Sequence, residues 1–473
     1  MAELLSVDDC EKLSARQVHD LYRRHVSRSQ VSLIGSFGFG NDLVSHAEGA
    51  WIHLRDGSRV LDFTGGVGVL NHGHNHPRIL AVRERFQAQR RMEVHKNYFS
   101  PYVAGLSANL AALLPGDLNV SYFPNSGAEA VEGAVKLAFK YHGGRRGAIL
   151  HTDIAFHGKL MGAASLNGSP EASFPFPRIP GTDVFRFGDL ESFRLAVERH
   201  RGPNGDSDVY AVVVEPFSAS SLRQCSEEFL REVRRICTDL DIVLIFDEVY
   251  TGWGKTGTLF HFMRYPGLVP DVVVMSKSFG GGKASISGYV AREPVFRRAY
   301  DNLSDATLHS TTYYGFGEET ATAIEAVAVA VEEDFPGRAR HLGERLGAGL
   351  ARIAADHPRL VRETAGCGAL HGVFLHPGPD IPDAIRRLVP SSFARDPQAG
   401  AKLLTGSVIA ELYNKHRVLT FFGSNRRIAL IVSPPLVATD AETDLFLAAL
   451  SETLAQGPAR LLTNFVKSKV TAR

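Results

Sequence analysis

Lys277 closes an apolar run, PDVVVMSKSFGGG (Pro270 to Gly282), and the segment FDEVYTGWGKTG lies ahead of it in the chain. An amine at the end of such a Val/Met stretch, if desolvated and near other cationic groups, is nucleophilic enough to condense with an aldehyde. Asp247 ends an apolar run of its own, where a carboxylate needs a cationic partner or solvent. Strand alternation puts Asp247 and Val249 on one side. In YFPNSGAEAVEGAVKLA a strand stops at Asn125 and a helix starts after Gly127. The free N–H groups of Ser126, Gly127 and Ala128 then form an anion site, against the plainer reading of a capped turn. Phe156, in Phe156-His157-Gly158 after GAILHTD, is an aromatic placed to lie flat on a planar ring, or else a core phenylalanine.

All four groups need strands that end side by side. Between Pro77 and Asp334, β-branched runs (GAILHTD, DVYAVVVEP, DIVLIFDEV, DVVVMSK, ISGYVAR) alternate with helical patterns such as FLREVRRICTDL. This predicts an α/β unit with a largely parallel sheet covered by helices on both faces, whose function collects at the carboxyl ends of strands. From Ala47, two alternating apolar segments joined by Asp56-Gly57 predict a hairpin that begins a small antiparallel sheet. The residues before it read as a helical arm or a mobile tail. After Asp334 come a helix (GRARHLGERLGAGLARIAADH), a strand-like CGALHGVFLH, and a last segment of α+β pattern, with PGPDIPD (377–383) as a surface loop. The expected division is 1–76, an arm and hairpin; 77–334, a large domain; and 335–473, a small α+β domain completed by the N-terminal hairpin.

At 473 residues with 44% hydrophobic content, the chain is long enough for two or three such units at about 150 residues each. Lys+Arg (52) and Asp+Glu (51) nearly cancel, which argues against a nucleic-acid partner. Four scattered cysteines without a C-x-x-C pair suit reduced thiols. No apolar stretch is long enough to span a bilayer, so the expectation is a cytoplasmic protein with no membrane partner.

The order of GHNHP (Gly73 to Pro77), NSGAEAVEGAVKLA, FHG, VVVEP, FDEVYTGWGKTG, PDVVVMSKSFGGG, HSTTYYG (His309 to Gly315) and SPPL (Ser433 to Leu436) resembles that of class III, or ω-, aminotransferases. These are fold-type I pyridoxal-phosphate enzymes, and the match runs from about Gly49 to Leu450. The resemblance implies that Lys277 forms the Schiff base with the cofactor aldehyde and later shuttles the proton of the 1,3-shift. It implies that Asp247 pairs with the pyridine nitrogen and that Phe156 and Val249 sandwich the ring. Ser126, Gly127 and Ala128 would take the phosphate from one subunit and Thr312 from the other, which makes the working unit a homodimer.

The sequence also departs from that family. Tyr250 stands where a glutamine usually hydrogen-bonds the ring hydroxyl, and tyrosine can also donate. Ser220 and Ile431 replace the Glu and Arg that form a gated salt bridge in members using glutamate, so both halves of that pair are missing together. Lys159 replaces an arginine of ornithine-like members and is either a point charge for a carboxylate or a solvated surface residue. Arg426 and Arg427 lie near where amine:pyruvate members carry a mobile arginine, and are candidates for a donor carboxylate or simply charged turn residues. Rival motifs are incomplete: GWGKTG lacks the first glycine of a P-loop, HGHNHP is punctuated as a turn and not as a metal site, and GSFGFG lacks the spacing of a dinucleotide loop. The reading is a ping-pong transaminase moving an amino group from an amine or amino acid to an aldehyde or ketone, set in specialised biosynthesis. A racemase, epimerase, aminomutase or decarboxylase on the same scaffold is the alternative.

Overall fold

A computed structural model describes residues 4–168, 176–376, 398–423 and 425–471. The loop expected at 377–383 lies outside them. Three helices, Val7–Lys12, Ala15–His25 and Arg28–Gly35, precede a hairpin of β1 (Val44–Glu48), β2 (Trp51–Leu54) and β3 (Arg59–Asp62), which turns at Gly57 with φ +85°. The site-bearing strands follow: β4 (Leu118–Tyr122), β5 (Ala148–Thr152), β6 (Thr182–Phe185) and β7 (Val209–Val214). A short pair, β8 (Phe217–Ser218) and β9 (Arg223–Gln224), leads to β10 (Val243–Asp247), β11 (Val272–Met275) and β12 (Gly288–Arg292).

Seven of these strands form one sheet in the order β4-β12-β11-β10-β7-β5-β6. Neighbours from β11 to β6 pair in parallel, and β12 pairs antiparallel with both β11 and β4. The unbroken apolar spelling of β7 and β10 has a direct cause: every residue of both strands is buried, because helices cover both faces. Alternate residues serve different cores. Val212, Val214, Leu244, Phe246 and Val273 pack on one face, and Ala211, Val213, Val243, Ile245 and Val274 on the other with the helix Gly127–Tyr141.

The remaining strands are β13 (Val361–Cys367), β14 (Leu370–Leu375), β15 (Val418–Leu419), β16 (Phe421–Phe422) and β17 (Leu430–Val432). β15 pairs in parallel with β3, while β13-β14-β17-β16 make a separate four-stranded sheet. Ala50, Leu61 and Phe63 share one core with Leu346, Leu350, Val373, Val432 and Phe446, so the two ends of the chain fold together. The stretch CGALHGVFLH, expected as one strand, is instead the turn and second arm of a hairpin that reverses at Gly368. Its first arm, VRETAGC, is mostly solvent-facing and therefore carries little apolar signal.

Candidate active site

Parallel register brings the predicted groups to one end of the sheet. Asp247 is the last residue of β10 and pairs with Val274 on β11, three residues before Lys277. On the other side Phe246 pairs with Val214 of β7, which brings Glu215 level with Asp247. His151 on β5 pairs with Val213, so the loop Asp153–His157 leaves the sheet beside Glu215.

Asp247 is 5% exposed and its two oxygens have separate partners. Oδ1 accepts the Val249 N–H at 2.9 Å and Oδ2 accepts from His157 Nδ1 at 2.6 Å. Burial alone would push the His157 imidazole down, but the hydrogen bond to Asp247 and the charges of Asp247 and Glu215 more than offset it and hold its pKa above the usual value. Its Nε2 is buried without a partner among the described residues. Glu215 accepts the Phe156 N–H at 3.0 Å, and burial pushes its carboxyl up to about 7. The Lys277 amine is pushed down to about 8 by burial, with Asp247 and Glu215 opposing that shift. Lys277 also has φ +50°, a left-handed conformation that costs a non-glycine residue about 1–3 kcal/mol and is typical of functional sites. Its Nζ lies 4.4 Å from the centroid of the Tyr250 ring, whose hydroxyl donates to Ser433 Oγ at 3.2 Å.

Ser126 caps the helix Gly127–Tyr141, its Oγ accepting from the Glu129 N–H at 3.3 Å and donating to Glu129 Oε2 at 3.1 Å. The N–H groups of Gly127 and Ala128 point out of the first turn and donate to no backbone acceptor among the described residues. A side chain at Gly127 would come within 3.3 Å of Val249 Cγ1 and 3.4 Å of Ser276 Cβ, so the helix start lies close against the exits of β10 and β11. At Gly158 a side chain would meet Ala128 Cβ at 2.8 Å, which seats the Phe156–Gly158 loop on the same helix end.

The other predicted positions are more scattered. Phe156 is 45% exposed at the mouth, and Lys159 and Thr312 are exposed. Ser220 Oγ accepts from Asn425 Nδ2 at 2.7 Å, and Asn425 also donates to Ile154 O at 3.0 Å. Arg426 pairs with Asp153 at 2.8 Å, whereas Arg427 pairs with Glu363 and stacks 4.1 Å over Phe374. Ile431 lies in a cluster with Phe217, Leu222 and Phe374, against which Tyr250 packs. Lys255 of GWGKTG is buried, donates to Pro434 O at 2.9 Å and is pushed down to about 7 by desolvation, far from the role of a phosphate-binding lysine. His72, His74 and His76 have three different partners, Ala326 O, Asp62 and Glu333. The sequence alone assigns no role to His157, Glu215, Ser433 or Asn425. His157 and Glu215 lie within quoted motifs, but no local spacing says that either meets Asp247.

Comparison with known proteins agrees with this architecture. The class III aminotransferase model matches residues 40–454. A putrescine aminotransferase from Pectobacterium atrosepticum is 35% identical over 380 residues, 79% of each chain. Among solved structures, a transaminase from the marine bacterium Virgibacillus matches with a TM-score of 0.80 at 19% identity, covering 94% of this chain and 99% of that one. An ornithine aminotransferase from Toxoplasma gondii, described with partial occupancy of PLP at its active site, matches with a TM-score of 0.78 at 22% identity, covering 98% and 100%. The fold is that of fold-type I transaminases. The chain belongs to the class III aminotransferase family and is a pyridoxal-phosphate-dependent transaminase, acting on an amino donor and a carbonyl acceptor.

Proposed function

We propose that the exits of β4, β5, β7, β10 and β11 hold pyridoxal phosphate, with Lys277 as its covalent anchor. The observation that carries this reading is the buried Asp247–His157 pair, set one strand away from a buried amine of pKa about 8. When bound, the cofactor supplies a ring that withdraws electrons from the substrate carbon. Asp247, oriented by His157 and the Val249 N–H, pairs with the ring nitrogen. Val249 and Phe156 cover the ring faces, and Ser126, Gly127 and Ala128 receive the phosphate. Once freed by the incoming amine, Lys277 Nζ would take a proton from the substrate carbon and deliver it to the former aldehyde carbon of the cofactor, in a ping-pong exchange between two substrates.

The active unit is a homodimer in which Thr312 reaches the neighbouring subunit's phosphate site. Thr312 is exposed, and so are Tyr98, Phe99 (104%), Leu303 and Tyr313 nearby, beside a cavity of about 780 Å³ that residues of both segments line. Apolar exposure on that scale suits a covered surface. The division into 1–76, 77–334 and 335–473 is supported by the core that the two ends of the chain share. The cytoplasm is the proposed location; among the described residues no helix is long and apolar enough to cross a membrane.

The acceptor is apolar or bulky on the side of Ile431, where glutamate-using relatives carry an arginine, which suits an intermediate of specialised biosynthesis. Ile431 lies in an apolar cluster that includes Phe217 and Leu222. The test is a half-reaction screen that follows the visible absorbance of the loaded enzyme while putrescine, other amines and amino acids are added without an acceptor. Conversion by at least one amine, reversed by a carbonyl compound, is expected. Conversion by none, or a best response to ornithine or 4-aminobutyrate, would count against the reading.

A further inference from the structure

We propose that the face of the Tyr250 ring stabilises the protonated Lys277 nitrogen, and that the Tyr250 hydroxyl serves to anchor the ring on Ser433. This deepens the assignment of Lys277 and rests on it. The separation of 4.4 Å between Nζ and the ring centroid is well inside the range of about 6 Å in which a ring quadrupole attracts a cation. Among the described residues Lys277 Nζ makes no hydrogen bond or ion pair, so the ring is its close partner. The charged groups around it are Asp247 on β10 and Glu215 beyond β7, with His157 behind both.

The ring is held in that pose from three directions. Its hydroxyl donates to Ser433 Oγ at 3.2 Å, and the side chain packs on the cluster that contains Phe217, Leu222 and Ile431. Gly68, with φ +85°, lies against the hydroxyl end of the ring, where an added Cβ would be 2.7 Å from Cε1 and Cζ. The hydroxyl is thus already committed to Ser433. Chemically, an aromatic face differs from a carboxylate in one useful respect. It favours the cationic nitrogen without being able to accept its proton, so Lys277 can hold the proton it takes from substrate and still pass it on. Burial pushes the Tyr250 hydroxyl well above its ordinary value, so it does not compete as an acid.

The test titrates the visible absorbance of the loaded enzyme against pH, which reports the proton on the Lys277 nitrogen. The same midpoint is read in the cofactor-free full chain by competitive acetylation of the Lys277 peptide. Tyr250→Phe keeps the ring and should keep both midpoints. Tyr250→Leu and Tyr250→Gln lose the ring and should lower them, leaving the nitrogen about threefold to tenfold more deprotonated at a given pH. Equal midpoints in all four proteins, or a shift in Tyr250→Phe as large as in Tyr250→Leu, would overturn the proposal. Borohydride reduction followed by peptide mapping separates the two layers: a pyridoxyl group on another lysine overturns the site itself, whereas one on Lys277 with unmoved midpoints overturns only the role of the ring.

Discussion

His157 donates from Nδ1 to Asp247 Oδ2 across the intervening strand β7, at 2.6 Å and with both side chains out of solvent. This hydrogen bond fixes the direction of the carboxylate that is proposed to face the cofactor nitrogen, while the Val249 N–H holds the other oxygen. Removing it leaves the buried carboxylate held by the Val249 N–H alone. His157→Ala should therefore lower kcat by about tenfold to hundredfold, the scale of a small misplacement near reacting atoms. Its thermal midpoint and its kcat, measured together, separate this from general unfolding; unchanged kcat in a folded variant would count against the alignment role.

As the proposed anchor, Lys277 must be the neutral amine to capture the cofactor. Burial pushes its pKa down to about 8, so the rate at which cofactor-free protein takes up pyridoxal phosphate should rise with pH and level off above about 8. Stopped-flow absorbance between pH 6 and 10 measures it. A midpoint near 10.5, the ordinary lysine value, would show that the amine is not desolvated.

Glu215 has the opposite sign. Its carboxyl is raised from 4.5 to about 7, so between those values the unfolded chain has lost a proton that the folded chain keeps. Stability from this group falls as pH rises through that window, and the full penalty, on the order of 3 kcal/mol, applies above about 7. Glu215→Gln keeps an acceptor for the Phe156 N–H and should flatten the decline. Glu248 is also raised to about 7, so the informative quantity is the difference between variant and parent in thermal midpoint from pH 5 to 8.

Arg426 and Arg427 are adjacent but differently engaged. Arg426 holds Asp153, one residue before Ile154 and close to the Phe156 loop, whereas Arg427 is tied to Glu363 and Phe374 on the C-terminal sheet. Arg426→Ala should raise KM for amino-acid donors by roughly tenfold and leave carboxylate-free amines unchanged, while Arg427→Ala should alter neither. Equal effects of Arg426→Ala on both donor classes would remove it from the donor site.

The quaternary proposal has a hydrodynamic consequence. Sedimentation should show a dimer at catalytic concentrations, and Thr312→Ala should weaken cofactor retention without dissociating it. An active monomer would refute the assignment of Thr312 to the neighbouring phosphate site.

The parts of this site that were legible in the sequence are those whose signal is local. Lys277 and Asp247 lie at the ends of apolar strands that parallel pairing brings together, and the Ser126–Ala128 turn is marked by its own helix-cap spelling after β4, which joins the same sheet through the antiparallel β12. His157 and Glu215 depend on which strands are neighbours, and the order β10-β7-β5 is not written in the spelling of any one of them. Tyr250 and Ser433 meet across 183 positions of chain. β13 was missed for a different reason: its outward residues are charged or small, so strand formation there depends on pairing with β14 and not on an apolar face.

The covalent assignment is the claim on which the others stand. Purified protein saturated with pyridoxal phosphate, reduced with borohydride, digested and mapped by mass spectrometry should carry a phosphopyridoxyl group on the peptide containing Lys277, and Lys277→Ala should carry none. An unmodified Lys277 peptide in protein that has bound the cofactor would contradict the account.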